Sequence, residues 1–177
     1  MLPRLLSAVL AGFILVAPAA AAFASELKTQ YTTIAYDKEE QLRRFNRGVS
    51  LGSLSYLLKN RRSITSDDEV KNKVDVLVER VEAVLDMFPG DLKFRIVLLS
   101  TETEVQRVYK NKYGAAVDYI SFYSPRDKTM YISVDDVRIG VLAHELAHVI
   151  LDFYFGVSPP IKIHEVLAQF VETHLKD

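Results

Sequence analysis

Hydrophobic positions along the chain alternate between helical and strand periods. After an opening apolar stretch, Thr29–Ala35 is rich in Thr and Tyr and reads as a short strand. Asp37 is placed to cap a helix from Lys38 to about Arg47. Val49–Leu58, apolar at mixed spacing, reads as a further helix weakened by Gly48 and Gly52. Ser66 with Glu69 makes a capping box. Beyond it Val70, Val74, Leu77, Val78, Val81, Val84, Leu85 and Phe88 recur at three- and four-residue intervals, one buried face of a helix that Pro89-Gly90 ends. Phe94–Leu99, apolar except for Arg95, reads as a fully buried strand. Glu102–Tyr113 reads as a helix stopped at Gly114. Val117–Tyr123 and Met130–Val134 read as strands, joined into a hairpin by the turn Ser124-Pro125-Arg126-Asp127-Lys128. Val137–Tyr154 is a long amphipathic helix ended at Gly156, and a last helix begins with Pro160 in its first turn and runs to about Leu175. This order predicts an α+β domain built on a small mixed sheet.

No repeat or Gly/Ser-rich linker divides residues 25–177, which are therefore read as one domain. The segment before them reads differently. Arg4 precedes a nearly unbroken apolar run, Leu5–Val16; Pro18 breaks it, and small residues lead to Ala22-Phe23-Ala24. That order predicts a secretory signal peptide over residues 1–24, cleaved after Ala24, and a secreted or periplasmic protein with no stable membrane span after cleavage. The competing reading is an uncleaved anchor, since Leu5–Ala24 is just long enough to span a bilayer.

Charge narrows the partners. A formal net charge of −1 over 177 residues sets up no field that would gather nucleic acid or an acidic membrane. The Arg43-Arg44-Arg47 and Arg61-Arg62 clusters read as solvated helix faces. The absence of cysteine rules out disulfides and thiolate ligands, so any metal is held by His, Asp or Glu.

Against that background His144-Glu145-Leu146-Ala147-His148 stands out. On a helix, positions four apart share one face, so His144 and His148 reach a single ion. Glu145 lies beside the first ligand, placed to take a proton from a water that zinc has brought to a pKa of about 7. A catalytic zinc needs a third protein ligand and an open position. Asp152 shares the face but stands about 12 Å along the axis from His144, too far for one coordination sphere, and is read as solvated or supporting. His164 and Glu165 project about 100° apart, so only one of them faces the metal. Glu165 is the favoured ligand, because Ala168 just beyond it lets its helix pack closely under the first; His164 is the alternative. His174 reads as a surface residue.

HELAH followed 17 residues on by the glutamate of HEVLAQF resembles the gluzincins. More narrowly, the segments RIVLLS, ISFYSPRDKTMYIS, VLAHELAHVIL and PPIKIHEVLAQF are similar to compact bacterial peptidase MA-like domains, over roughly residues 93–175. The resemblance implies a minimal zincin-like fold with an HExxH helix and a C-terminal glutamate helix. It implies one Zn2+ on His144, His148 and Glu165, with Glu145 as general base. It also implies that Val117–Tyr123 is a sheet edge where a peptide or protein substrate adds as a strand. Two departures stand out. Gln169 occupies the position where many gluzincins carry a supporting acid. The downstream Tyr or His that stabilises the oxyanion in larger relatives has no counterpart before Asp177, which leaves Tyr119, Tyr123, Tyr131 and Tyr154 as substitutes, or an activating partner protein that completes the cleft. The expected function is zinc-dependent peptide hydrolysis. The alternatives are a zinc-bound module that captures a peptide or envelope protein with little or no catalysis, and a metal-free helical interaction domain.

Overall fold

A computed structural model describes residues 25–177; the expected signal peptide and its cleavage after Ala24 lie outside the described residues. Among these the chain forms five strands, five α-helices and one 3₁₀ helix. The strands are β1 (Ser25–Lys28), β2 (Thr32–Tyr36), β3 (Phe94–Leu99), β4 (Ser121–Ser124) and β5 (Thr129–Ser133). They form one mixed sheet in the order β1-β2-β3-β5-β4. The central strands β2, β3 and β5 run parallel, and β1 and β4 pair antiparallel at the two edges.

Strand alternation sorts the core. Ile34, Ile96, Leu98, Met130 and Ile132 point to one face, where they meet α1 (Glu39–Gly48), α2 (Ser66–Leu85) and α4 (Ile139–Tyr154) in one continuous apolar cluster. α5 (Ile161–His174) packs behind, on α4 and α2, through Ala168 and Val171. α3 (Glu102–Tyr113) lies against β3, β4 and β5, with Val105 and Phe122 buried. No helix of the described residues is long and apolar enough to cross a membrane.

The expected α+β class and mixed sheet are present, and β3 and α3 run over the expected residues. Several boundaries differ for local reasons. β1 carries a single buried side chain, Leu27, too weak a signal for an edge strand. Thr29-Gln30-Tyr31 is the turn out of it: the Thr29 hydroxyl accepts from Tyr31 N–H and Thr32 N–H, so β2 starts at Thr32. α1 is closed at its start by Gln41, whose carbonyl oxygen accepts from the N–H groups of Asp37 and Lys38 at 2.9 Å each, and the cap position is Lys38. The expected helix at Val49–Leu58 is a 3₁₀ helix over Gly52–Leu58, entered through a left-handed φ of 54° at Gly52. The capping box of α2 sits one residue earlier than expected: Thr65 Oγ1 accepts from Asp68 N–H, and Asp68 reaches back to Thr65 N–H.

α2 ends at Leu85, where Asp86 turns left-handed, so Phe88 leaves the helix face and is 62% exposed. Residues 117–120 are outside the sheet, and β4 begins at Ser121. Pro160 caps α5 from just outside the helix, its carbonyl accepting from Ile163 N–H.

Candidate metal centre

α4 is held by its apolar side: Leu142, Leu146, Val149 and Ile150 are fully buried. Truncating such a side chain to alanine costs ~2–5 kcal/mol, so the helix backbone is a firm mount. The opposite rim carries the two imidazoles of the motif, with ring centroids 5.0 Å apart. α5 brings Glu165 to them. Ala168 is fully buried, a small side chain that lets α5 pack closely. The Glu165 carboxylate straddles the pair, with Oε2 3.5 Å from His144 Nε2 and Oε1 3.6 Å from His148 Nε2. All three ligand atoms lie within 4.8 Å of one another.

The two Glu165–imidazole spacings come close to those around a tetrahedral ion, and the set as a whole, within 4.8 Å, would draw in slightly on binding one. Zinc bonded to nitrogen and oxygen at about 2.0–2.1 Å holds its ligands roughly 3.3 Å apart. The donor set also fits, since burial, then His144, then His164 push the His148 pKa down to about 3, which leaves it the neutral imidazole a metal needs.

Of the two neighbours at the start of α5, Glu165 joins the cluster. His164 is outside the ligand set: it is buried beside it, with its Nε2 2.9 Å from Ser158 Oγ and its ring stacked on His148 at 5.7 Å. Asp152 stands apart from the cluster, as its axial distance requires. It is not solvated, however: its side chain is only 10% exposed, accepts from the Tyr123 hydroxyl at 2.7 Å and pairs with Lys128. His174 is half-buried at the end of α5, against Phe170.

Near His144 stands a second acid of α5, Glu172. Seven residues beyond Glu165, it returns to the same helix face, and its Oε2 lies 3.7 Å from His144 Nδ1. It fits there because α4 has a glycine one turn before His144. A Cβ on Gly140 would stand 3.3 Å from Glu172 Oε1 and 3.4 Å from its Cγ. His144 thus has Nε2 toward Glu165 and Nδ1 toward the Glu172 carboxylate.

Glu145 is buried beside them and pointed at the sheet edge. Ser121 Oγ donates to its Oε1 at 2.7 Å, and the Tyr123 backbone N–H donates to the same carboxylate. Burial first, and then the charge of Glu165, raise its pKa to about 7 against those two donors. Ser121 had no sequence signature of its own. Its role follows once strand alternation turns Ser121 and Tyr123 toward α4.

β4 is an edge strand, as expected of this segment. The Ser133 N–H donates to Ile120 C=O at 2.9 Å, so antiparallel alternation turns the backbone groups of Ser121 and Tyr123 outward from the sheet. They face a cavity of about 510 Å³ that also meets His144, Glu145, His148 and Glu165. No protein-family model, curated protein or solved structure matches the chain. The chemistry of the cluster itself is therefore the guide to function: three metal-type donors with an open side, and a carboxyl group beside them that titrates near neutrality.

Proposed function

We propose that the chain is a zinc-dependent peptidase of the gluzincin type on a minimal zincin-like fold, acting outside the cytoplasm once residues 1–24 are removed. The observation that carries this reading is the convergence of Glu165 on His144 and His148 next to a buried Glu145. When bound, zinc supplies a Lewis acid that activates water and polarises a peptide carbonyl at neutral pH.

The chain does the rest. His144 and His148 are held in register by one helix, and Glu165 closes the set from a second. Glu172 steadies the His144 ring. The outward N–H and C=O of Ser121 take an extended peptide along β4, which lays a scissile bond across the rim of α4. Glu145, with a pKa near 7, is poised to take the proton of the attacking water and return it to the leaving amine. Ser121 and the Tyr123 N–H keep its carboxylate aimed at that place.

The test is cleavage of a mixed peptide library by zinc-loaded protein, with Glu145→Ala in parallel. The reading expects cleavage by the wild type only, with zinc bound equally by both. Equal peptide binding by both and no cleavage by either favours the alternative, a zinc-bound peptide-capture module.

A further inference from the structure

A carbonyl under attack needs a donor for the charge that develops on its oxygen, and such a donor is worth on the order of 10²–10³ in rate. Four tyrosines compete for this role in the sequence, and three are otherwise placed. The Tyr123 hydroxyl donates to Asp152 at 2.7 Å, and the Tyr131 hydroxyl donates to Asp127 at 2.9 Å. Tyr154 does not line the cavity.

Tyr119 lines it, together with His144, Glu145, His148 and Glu165. Its ring is propped edge-on against Tyr109 at 5.1 Å between centroids, and the side chain is 44% exposed. It sits two residues before Ser121, on the irregular segment that leaves the left-handed cap of α3 at Gly114. After burial and Tyr109, the charges of Glu165 and Glu145 are among the causes that raise its pKa, so the hydroxyl keeps its proton at neutral pH and stays a donor.

Resting on the peptidase reading, we infer that the Tyr119 hydroxyl is the catalytic hydrogen-bond donor to the oxyanion. As the water oxygen bonds to the carbonyl carbon, the carbonyl π pair moves onto its oxygen and the water proton goes to Glu145. Tyr119 donates a hydrogen bond to that oxygen without giving up its proton. When the C–N bond breaks, its electron pair leaves with the nitrogen, which takes the proton from Glu145, and the carbonyl re-forms. Tyr109, packed on Tyr113 and Phe122, serves as the prop for the Tyr119 ring.

Tyr119→Phe removes the hydroxyl and leaves the ring. It should lower kcat by roughly 10²–10³ with KM changed only a few-fold, and zinc content should be unchanged. A second readout needs no turnover. A phosphinic peptide with Phe and Leu flanking the phosphinate carries the anionic tetrahedral centre; its reduced-amide counterpart does not. Tyr119→Phe should weaken the phosphinic peptide by a similar factor and leave the reduced amide unaffected.

Wild-type binding of the phosphinic peptide by Tyr119→Phe overturns the inference while leaving the peptidase reading intact. So does a loss found in Tyr109→Phe in place of Tyr119→Phe. A wild type that holds zinc and fails to bind the phosphinic peptide overturns both. If the wild type binds it but cleaves no library peptide, the binding difference alone decides the role of Tyr119.

Discussion

A carboxyl group as enclosed as Glu145 ionises reluctantly, and this has a measurable consequence in the metal-free chain. Its pKa rises from 4.5 to about 7 on folding. A raised pKa contributes stability that is complete below the unfolded value and lost as pH climbs through the folded one. His148 runs the other way. Its pKa falls from 6.5 to about 3, so its contribution is present above 6.5 and lost as pH falls toward 3. Between about 4.5 and 6.5 the two oppose each other, and wild-type stability alone reports neither. The difference from Glu145→Gln isolates the carboxyl group. With chelator present, this variant should gain on the wild type between pH 4 and 8, by on the order of 3 kcal/mol. Urea unfolding across that range measures it, and a difference that stays flat with pH contradicts the burial of Glu145. The HExxH spacing made this carboxylate legible in the sequence. The Ser121 hydroxyl beside it was not, because a serine in a strand acquires a role only when its tertiary neighbour is known.

Two helices must meet at a fixed distance for the cluster to form, and Gly140 and Ala168 are where they come close. Gly140→Ala sets two effects against each other. Gly140 is the second residue of α4, so alanine keeps there only a fraction of the roughly 1 kcal/mol it holds over glycine in a helix interior, and α4 itself should gain slightly. The new Cβ would crowd Glu172 at 3.3 Å and push it from the His144 ring. Loss of such a supporting carboxylate typically costs 10–100-fold in metal affinity. The expected result is a metal-free protein at least as stable as the wild type that binds zinc 10–100-fold more weakly, read by competition with a chelating dye. Unchanged zinc affinity means that Glu172 does not support His144. The two main core helices were legible, because α2 and α4 each bury a face with helical periodicity, whereas α3 buries only Val105. Their ends were less so. Ser66 is the better cap by residue type, and backbone geometry puts the cap at Thr65 instead. Glu172, seven residues beyond Glu165, falls on the same helical face but outside the spacing that the resemblance supplied.

The cluster also ties distant parts of the chain together. α4 carries two donors and α5 the third, while the far end of α5 is held by Arg80 of α2, whose Nε donates to the Leu175 carbonyl at 2.8 Å. A ligand that binds only the folded chain stabilises it by about 2.7 kcal/mol at a hundred times its Kd. Zinc at that excess should raise Tm, chelator should reverse the shift, and His148→Ala should abolish it. A zinc-induced shift that survives in His148→Ala places the metal elsewhere. The α+β class was legible from the order of periodic segments. The strand order was not, since the pairings of β2 with β3 and of β3 with β5 are parallel and join segments far apart in sequence, with no turn chemistry to announce them.

The most direct test of the account is zinc K-edge X-ray absorption on protein loaded with one equivalent of the metal, for the wild type and His148→Ala. The account predicts a first shell at about 2.0–2.1 Å with the scattering of two imidazoles in the wild type and one in the variant. A shell of oxygens without imidazole, or one that His148→Ala leaves unchanged, contradicts it.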